Sequence, residues 1–200
     1  MLIAGVDEAG RGPLAGPVVA AVAVFADGFC NPEIRDSKQL SFEKREYLFD
    51  VVKKSAIQWA IVAVGHRRID KLNIREATRL AMSLAVKKIS ADLVLIDGNM
   101  SINTKIPQCT VVGGDRFCVE ISAASILAKV WRDRLMISID QHYPGYGFAK
   151  HFGYPTKEHR QTISELGPTR IHRFTFGCLK QYVVSDIYGH NRRALGGVIS

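Results

Sequence analysis

A chain of 200 residues with 47% hydrophobic and 23% charged side chains describes one globular domain with a sizeable core and excludes a disordered chain. Lysine and arginine total 27 against 19 acids, and the net charge of +8 favours a polyanionic partner. Cys30, Cys109, Cys118 and Cys178 show no CxxC spacing and no paired histidines, which argues against zinc and for buried, reduced thiols in a cytoplasmic protein.

Taken in chain order, residues 1–8 read as an apolar strand that ends on Asp7 and Glu8 and carries no membrane span. Gly10, Arg11, Gly12 and Pro13 then turn the chain into a second strand, 17–25, which is continuous and rich in valine. A loop carries Ser37 and Lys38, and Ser41 caps a charged helix that runs to about Ser55. A third strand covers 57–65. An amphipathic helix over 73–89 puts Ile74, Ala77, Leu80, Ala81, Leu84 and Ala85 on one side, with Asn73 placed to cap it. The buried strand 92–97 ends, like the first, on an aspartate, and a short strand 110–112 precedes Gly113, Gly114 and Asp115. Residues 119–141 form a long helix and 156–167 a shorter one, while the polar tail 187–200 reads as loosely held. This order describes a mixed α/β sheet flanked by helices. No helix starts at the Gly10 turn, so the glycines there do not form a dinucleotide site.

Asp7, Glu8, Asp97 and Asp115 all lie at or just past the end of an apolar strand. A single aspartate there is ordinarily a turn former. Four converging carboxylates repel one another unless cations bind, and all-oxygen ligands suit Mg²⁺ or Mn²⁺. Two such ions about 4 Å apart activate a water and stabilise a leaving oxygen. The neighbouring Arg11, flanked by glycines, supplies a fixed charge and close backbone approach to a phosphate.

The string Gly5-Val-Asp-Glu-Ala-Gly-Arg-Gly-Pro13 resembles that of the type 2 ribonucleases H (RNase HII). The rest follows in family order: Asp36-Ser-Lys-Gln-Leu40, Ile96-Asp-Gly-Asn99, Gly114-Asp115, 121–130 with Arg132-Asp133, Gly147-Phe148, Gly153-Tyr-Pro-Thr156 and His172-Arg-Phe-Thr-Phe176. The resemblance runs from residue 1 to about 180. It implies an RNase H-like fold: a mixed five-stranded sheet with helices on both faces, and a small helical C-terminal extension from about residue 142, all in one domain over 1–186. It also implies cutting of the RNA strand of RNA–DNA hybrids, and incision 5′ to single ribonucleotides in duplex DNA that leaves 3′-hydroxyl and 5′-phosphate ends.

On this resemblance Asp7, Glu8, Asp97 and Asp115 are the catalytic, metal-binding carboxylates for two divalent ions. Gly10, Arg11 and Gly12 read the ribose 2′-hydroxyl and grip the adjacent phosphate, and Tyr154 stacks under the next deoxyribose. Ser37, Lys38, Lys129 and Arg132 are further substrate contacts, whereas Asp133 is expected in a structural ion pair and His151, His159 and His172 in structural or phosphate-adjacent places. Gly114 departs from the family by replacing a common lysine. The expected partners are RNA–DNA hybrids and ribonucleotide-containing DNA duplexes, with no membrane and no zinc, bound by a monomer. The competing readings are another RNase H-like nuclease and a catalytically silent hybrid-binding protein. The intact acid set argues against the second, and the Gly10–Gly12 loop with Tyr154 argues against the first.

Overall fold

The computed structural model describes residues 1–34 and 40–182; Ser37, Lys38 and the tail 187–200 lie outside the described residues. Five strands form one mixed sheet: β1 (Ile3–Ala9), β2 (Val18–Val24), β3 (Gln58–Val64), β4 (Leu93–Asp97) and β5 (Gln108–Val111). Their order across the sheet is β3-β2-β1-β4-β5. β1, β2 and β3 pair antiparallel, while β4 runs parallel to both β1 and β5. β1 is therefore central, and its register with β4, Val6 opposite Ile96, brings Asp7 and Asp97 to the same sheet edge.

The seven residues of β2 are all buried because helices cover both faces. Val18, Ala20, Val22 and Val24 pack with Ala77, Ala81 and Ala85 of α3 (Ile74–Val86). Val19, Ala21 and Ala23 face Leu48, Phe49 and Val52 of α1 (Phe42–Ser55) and the alanine-rich start of α4 (Val119–Asp140). Ser41 caps α1 by accepting from the Lys44 N–H, and Asn73 caps α3 by accepting from the Glu76 N–H. The chain between β3 and α3 forms another helix, α2 (His66–Leu72), in a stretch too short and polar to carry a periodic signal. Three of the four cysteines, Cys30, Cys109 and Cys178, are exposed, which corrects the expectation of burial; all four are free. Among the described residues no helix is long and apolar enough to cross a membrane.

Beyond α4, the chain forms the single turn α5 (Phe148–His151), then α6 (Lys157–Leu166). Phe148 centres this part, stacked on Tyr146 at 5.5 Å and edge-on to His159 at 5.5 Å. His159 and His172 are fully buried. The Thr169 N–H donates to His172 Nδ1 at 2.8 Å, so the His172 proton sits on Nε2 and donates to His159 Nε2 at 3.1 Å. His159 in turn donates from Nδ1 to the Tyr154 carbonyl at 2.9 Å. Both rings are thus neutral. Burial pushes His159 down to about 4 and His172, further disfavoured by the neighbouring His159, to about 3.

An unfolded histidine titrates near 6.5, so below that pH the unfolded chain binds more protons than the folded one. The stability these two rings contribute is full above pH 6.5 and is lost as pH falls through about 4 and then about 3. Each ring should steepen the loss by up to about 1.4 kcal/mol per pH unit. Urea unfolding at a series of pH values checks this. The slope should flatten in His172→Gln, and an unchanged slope would contradict it.

Candidate active site

Three elements deliver the acids. Asp7 stands near the end of β1, Asp97 ends β4, and a 3₁₀ turn, Gly114–Arg116, carries Asp115. One carboxylate oxygen from each lies within 4.8 Å of the other two. The Asp115 turn is fixed by the Ser122 hydroxyl, which donates to the Asp115 carbonyl at 2.8 Å, and by the Cys118 N–H on the Gly114 carbonyl at 2.8 Å. Gly114 is tightly enclosed: an added Cβ would sit 2.4 Å from Ile121 Cδ1. Any side chain at this departure from the family would need Ile121 to move. Close approach also explains Gly5, where a Cβ would lie 2.1 Å from the Glu120 backbone, so β1 rests directly on the start of α4.

Asp7 is 5% exposed, and burial followed by the charge of Glu8 holds its carboxyl well above the usual range. Opposing this, the Ser125 side chain of α4 and the Glu8 N–H, at 2.7 Å, bond the Asp7 carboxylate. Ser125 was not anticipated, because a serine inside an alanine-rich helix carries no signal of the strand it faces. Glu8 stands outside the group of three and instead accepts from Arg11 Nη1 at 3.3 Å. Buried like charges are costly, and a hard divalent cation among these oxygens offsets the cost, so the donor set fits the expected ions.

The loop from Gly10 to Pro17 is shaped from behind by two buried arginines. Arg173, fully buried, donates Nη2 to the Gly10 carbonyl at 2.7 Å, Nη1 to Arg11 at 3.0 Å and Nε to Gly16 at 2.9 Å. Arg132 donates Nε to the Pro17 carbonyl at 3.0 Å and Nη2 to Ala15 at 3.2 Å. Arg132 is 1% exposed, so its expected place at the substrate is corrected: its guanidinium is spent on the loop backbone. Gly10 is required here, with φ +91° and no room for a Cβ, which would lie 2.0 Å from Arg132 Nε. Burial pushes Arg173 down to about 9 and lowers Arg132. The planar fork suits this bracing, since it reaches several carbonyls at once.

Tyr154 is 38% exposed and closes the other side of the loop, its Cε1 lying 3.6 Å from where a Gly12 Cβ would stand. Lys129 approaches the same ring at 5.9 Å while pairing with Asp133 at 2.9 Å, the ion pair expected for Asp133. The structure therefore gathers Asp7, Asp97 and Asp115, sets Glu8 and Arg11 against each other beside them, and puts Gly12 and Tyr154 face to face.

The family model for Ribonuclease HII matches residues 4–178. The chain belongs to the ribonuclease HII family. The Ribonuclease HII of Geobacter sp. (strain M21) is 50% identical over 186 residues, covering 92% of this chain and 81% of that protein. The crystal structure of ribonuclease H2 from Pyrococcus horikoshii OT3 superposes with a TM-score of 0.79 at 26% identity, covering 96% of this chain and all of that one. A likeness at 15% identity and TM-score 0.66 to Bst-RNase HIII, solved with Mn²⁺, covers 92% of this chain and 70% of that one and reflects the shared fold. The chain is a type 2 ribonuclease H, with the RNase H-like fold and a mixed five-stranded sheet, and membership implies cleavage of RNA in RNA–DNA hybrids.

Proposed function

We propose that this ribonuclease HII incises duplex DNA on the 5′ side of single embedded ribonucleotides, as well as cutting RNA in hybrids, and that it uses two divalent ions, Mg²⁺ or Mn²⁺, held by Asp7, Glu8, Asp97 and Asp115. The observation that carries this is the placement of three carboxylates within 4.8 Å of one another at the sheet edge from which the glycine-flanked Arg11 loop departs. Asp7, Glu8, Asp97 and Asp115 would hold the ions, which would supply activation of a water and stabilisation of the leaving oxygen for a cut that leaves 3′-hydroxyl and 5′-phosphate ends. The Mn²⁺ in Bst-RNase HIII, on the same fold, supports that choice of ion.

The chain's own residues supply position and discrimination. The Gly10–Gly12 backbone, free of Cβ atoms at both glycines, can approach a ribose 2′-hydroxyl, the one group that distinguishes the target sugar from its DNA neighbours. Arg11, half-exposed, presents its planar fork to the adjacent phosphate. The Tyr154 ring, which faces Gly12, takes the following sugar, where a further 2′-hydroxyl would clash. Lys129 adds positive charge beside that ring, and Ser37 with Lys38 extends the phosphate contacts. Residues 1–186 act as one domain and one monomer, in ribonucleotide repair in the cytoplasm.

The test is a duplex carrying one ribonucleotide, incubated with Mg²⁺ or Mn²⁺ and then with chelator. Cleavage 5′ to the ribonucleotide, lost with chelator, is expected, and absence of cleavage with either ion would overturn the proposal. Tyr154→Ala should lower the ratio of single-ribonucleotide incision to hybrid cutting about tenfold, equivalent to ~1.4 kcal/mol of discrimination. Equal losses on both substrates would remove Tyr154 from junction reading.

A further inference from the structure

We propose that His159 and His172 are positioning residues that set the Tyr154 ring against the Gly10–Gly12 loop, and that the pair thereby governs discrimination between ribonucleotide junctions and continuous RNA. This rests on the role given to Tyr154 above.

Both peptide groups of Tyr154 are tied down. Its N–H donates to the His151 carbonyl at 2.8 Å, and its carbonyl accepts from His159 Nδ1 at 2.9 Å and from the Thr156 N–H at 2.8 Å. The two residues before it, Phe152 at φ +50° and Gly153 at φ +81°, both adopt the left-handed region, so the chain arrives at Tyr154 through a backbone that few sequences hold unaided. Gly153 sits hard against the loop: its carbonyl accepts from the Leu14 N–H at 2.7 Å, and a Cβ there would be 2.7 Å from the Ala15 oxygen.

The hydrogen bonds run in one direction, from the Thr169 N–H through His172 and His159, and end on the carbonyl of the residue whose ring faces Gly12. His151 lies stacked on His159 at 4.2 Å and closes the set, accepting from the Gly153 N–H at 3.1 Å and donating to the Tyr146 carbonyl at 2.8 Å. All three rings are buried, and their nitrogens bond to protein partners. Apolar side chains would fill the same core without the cost of burying polar nitrogens, so what the imidazoles add is geometric definition. His172 is also the residue before Arg173, whose guanidinium holds the Gly10 and Arg11 carbonyls. One dipeptide therefore anchors the loop that meets the ribose and, through His159, the ring that meets the next sugar.

The experiment compares kcat/KM on a single-ribonucleotide duplex and on a continuous hybrid for His159→Leu, His159→Asn and Tyr154→Ala, and for His159→Leu combined with Tyr154→Ala. His159→Leu removes the donor to Tyr154 and should lower the junction-to-hybrid ratio about tenfold, the scale of a small misplacement of a contacting group. His159→Asn carries an amide N–H where Nδ1 stood and should hold the ratio within about threefold of wild type. Once Tyr154 is alanine, His159→Leu should leave the ratio unchanged, because the ring it positions is gone. Equal losses on both substrates, or the same change of ratio with and without Tyr154, would overturn the inference. If Tyr154→Ala alone leaves the ratio intact, the role of Tyr154 itself fails; if it shifts the ratio and His159→Leu does not, only the histidine relay fails. Nitrogen-15 NMR of the wild-type imidazoles tests the relay without any variant. His159 protonated on Nδ1 and His172 on Nε2 support it, and the opposite tautomers overturn it.

Discussion

Asp7→Asn should abolish cleavage while leaving the protein more stable in the absence of metal. The Asp7 carboxyl is 5% exposed, beside Glu8 and Asp97, and burial and those charges hold it well above its ordinary range. A carboxyl whose folded value is raised stabilises the fold below its unfolded value and loses that contribution as pH rises through the folded one. Above its unfolded value Asp7 therefore opposes folding, whether it ionises in the fold or takes up a proton there, and an isosteric amide relieves it. Each kcal/mol relieved corresponds to about 2–4 °C in Tm for a chain of this size. If Asp7 holds metal as proposed, loss of its oxygen should cost roughly 10³-fold or more in kcat, or ~4 kcal/mol of transition-state stabilisation. Thermal unfolding with chelator and single-turnover cleavage with Mg²⁺ check the two halves. A drop in Tm would contradict the electrostatic account, and wild-type activity would contradict the assignment of Asp7 to the metal.

Arg173→Leu should damage both stability and activity. The substitution leaves the Gly10, Arg11 and Gly16 carbonyls without the donors that now reach them. An unsatisfied buried polar group costs about 1–3 kcal/mol, offset in part because a buried charge also disappears, so a net loss of ~3 kcal/mol is expected. That corresponds to a fall in Tm of roughly 6–12 °C. Arg173→Lys should recover little, since one ammonium cannot span three carbonyls as the guanidinium does. Denaturant melts and cleavage of both substrates are the measurements, and full recovery by lysine would show that charge rather than the fork matters.

The acids were legible in the sequence because strand ends in an open sheet converge on one edge, and strands that stop on Asp7 and Asp97 announce it. The Gly10–Gly12 loop was legible for a different reason: its glycines meet steric demands that the structure makes explicit at Gly10. Arg132 was misjudged because it shares a helix face with Lys129, and three-residue spacing says nothing about which face is buried. Arg173 and Ser125 went unrecognised as supports for the site. Their partners lie far away in sequence, 157 to 163 residues away for Arg173, and no local pattern encodes a contact of that range. The three histidines read from the sequence as structural or phosphate-adjacent, but their order as donors and acceptors depends on the fold of 169–173, which periodicity does not reach.

The bracing of the Gly10–Pro17 loop by Arg132 and Arg173 has a consequence for the chain as it is synthesised. Translation delivers Asp7, Glu8, Asp97 and Asp115 before Arg132, Tyr154, His159 or Arg173 exists. A nascent chain thus carries its acids before any residue that braces the Gly10–Pro17 loop, and before Tyr154, which faces it. A product truncated before residue 169 would carry all four acids with neither the Arg173 brace on the Gly10, Arg11 and Gly16 carbonyls nor the His172 relay.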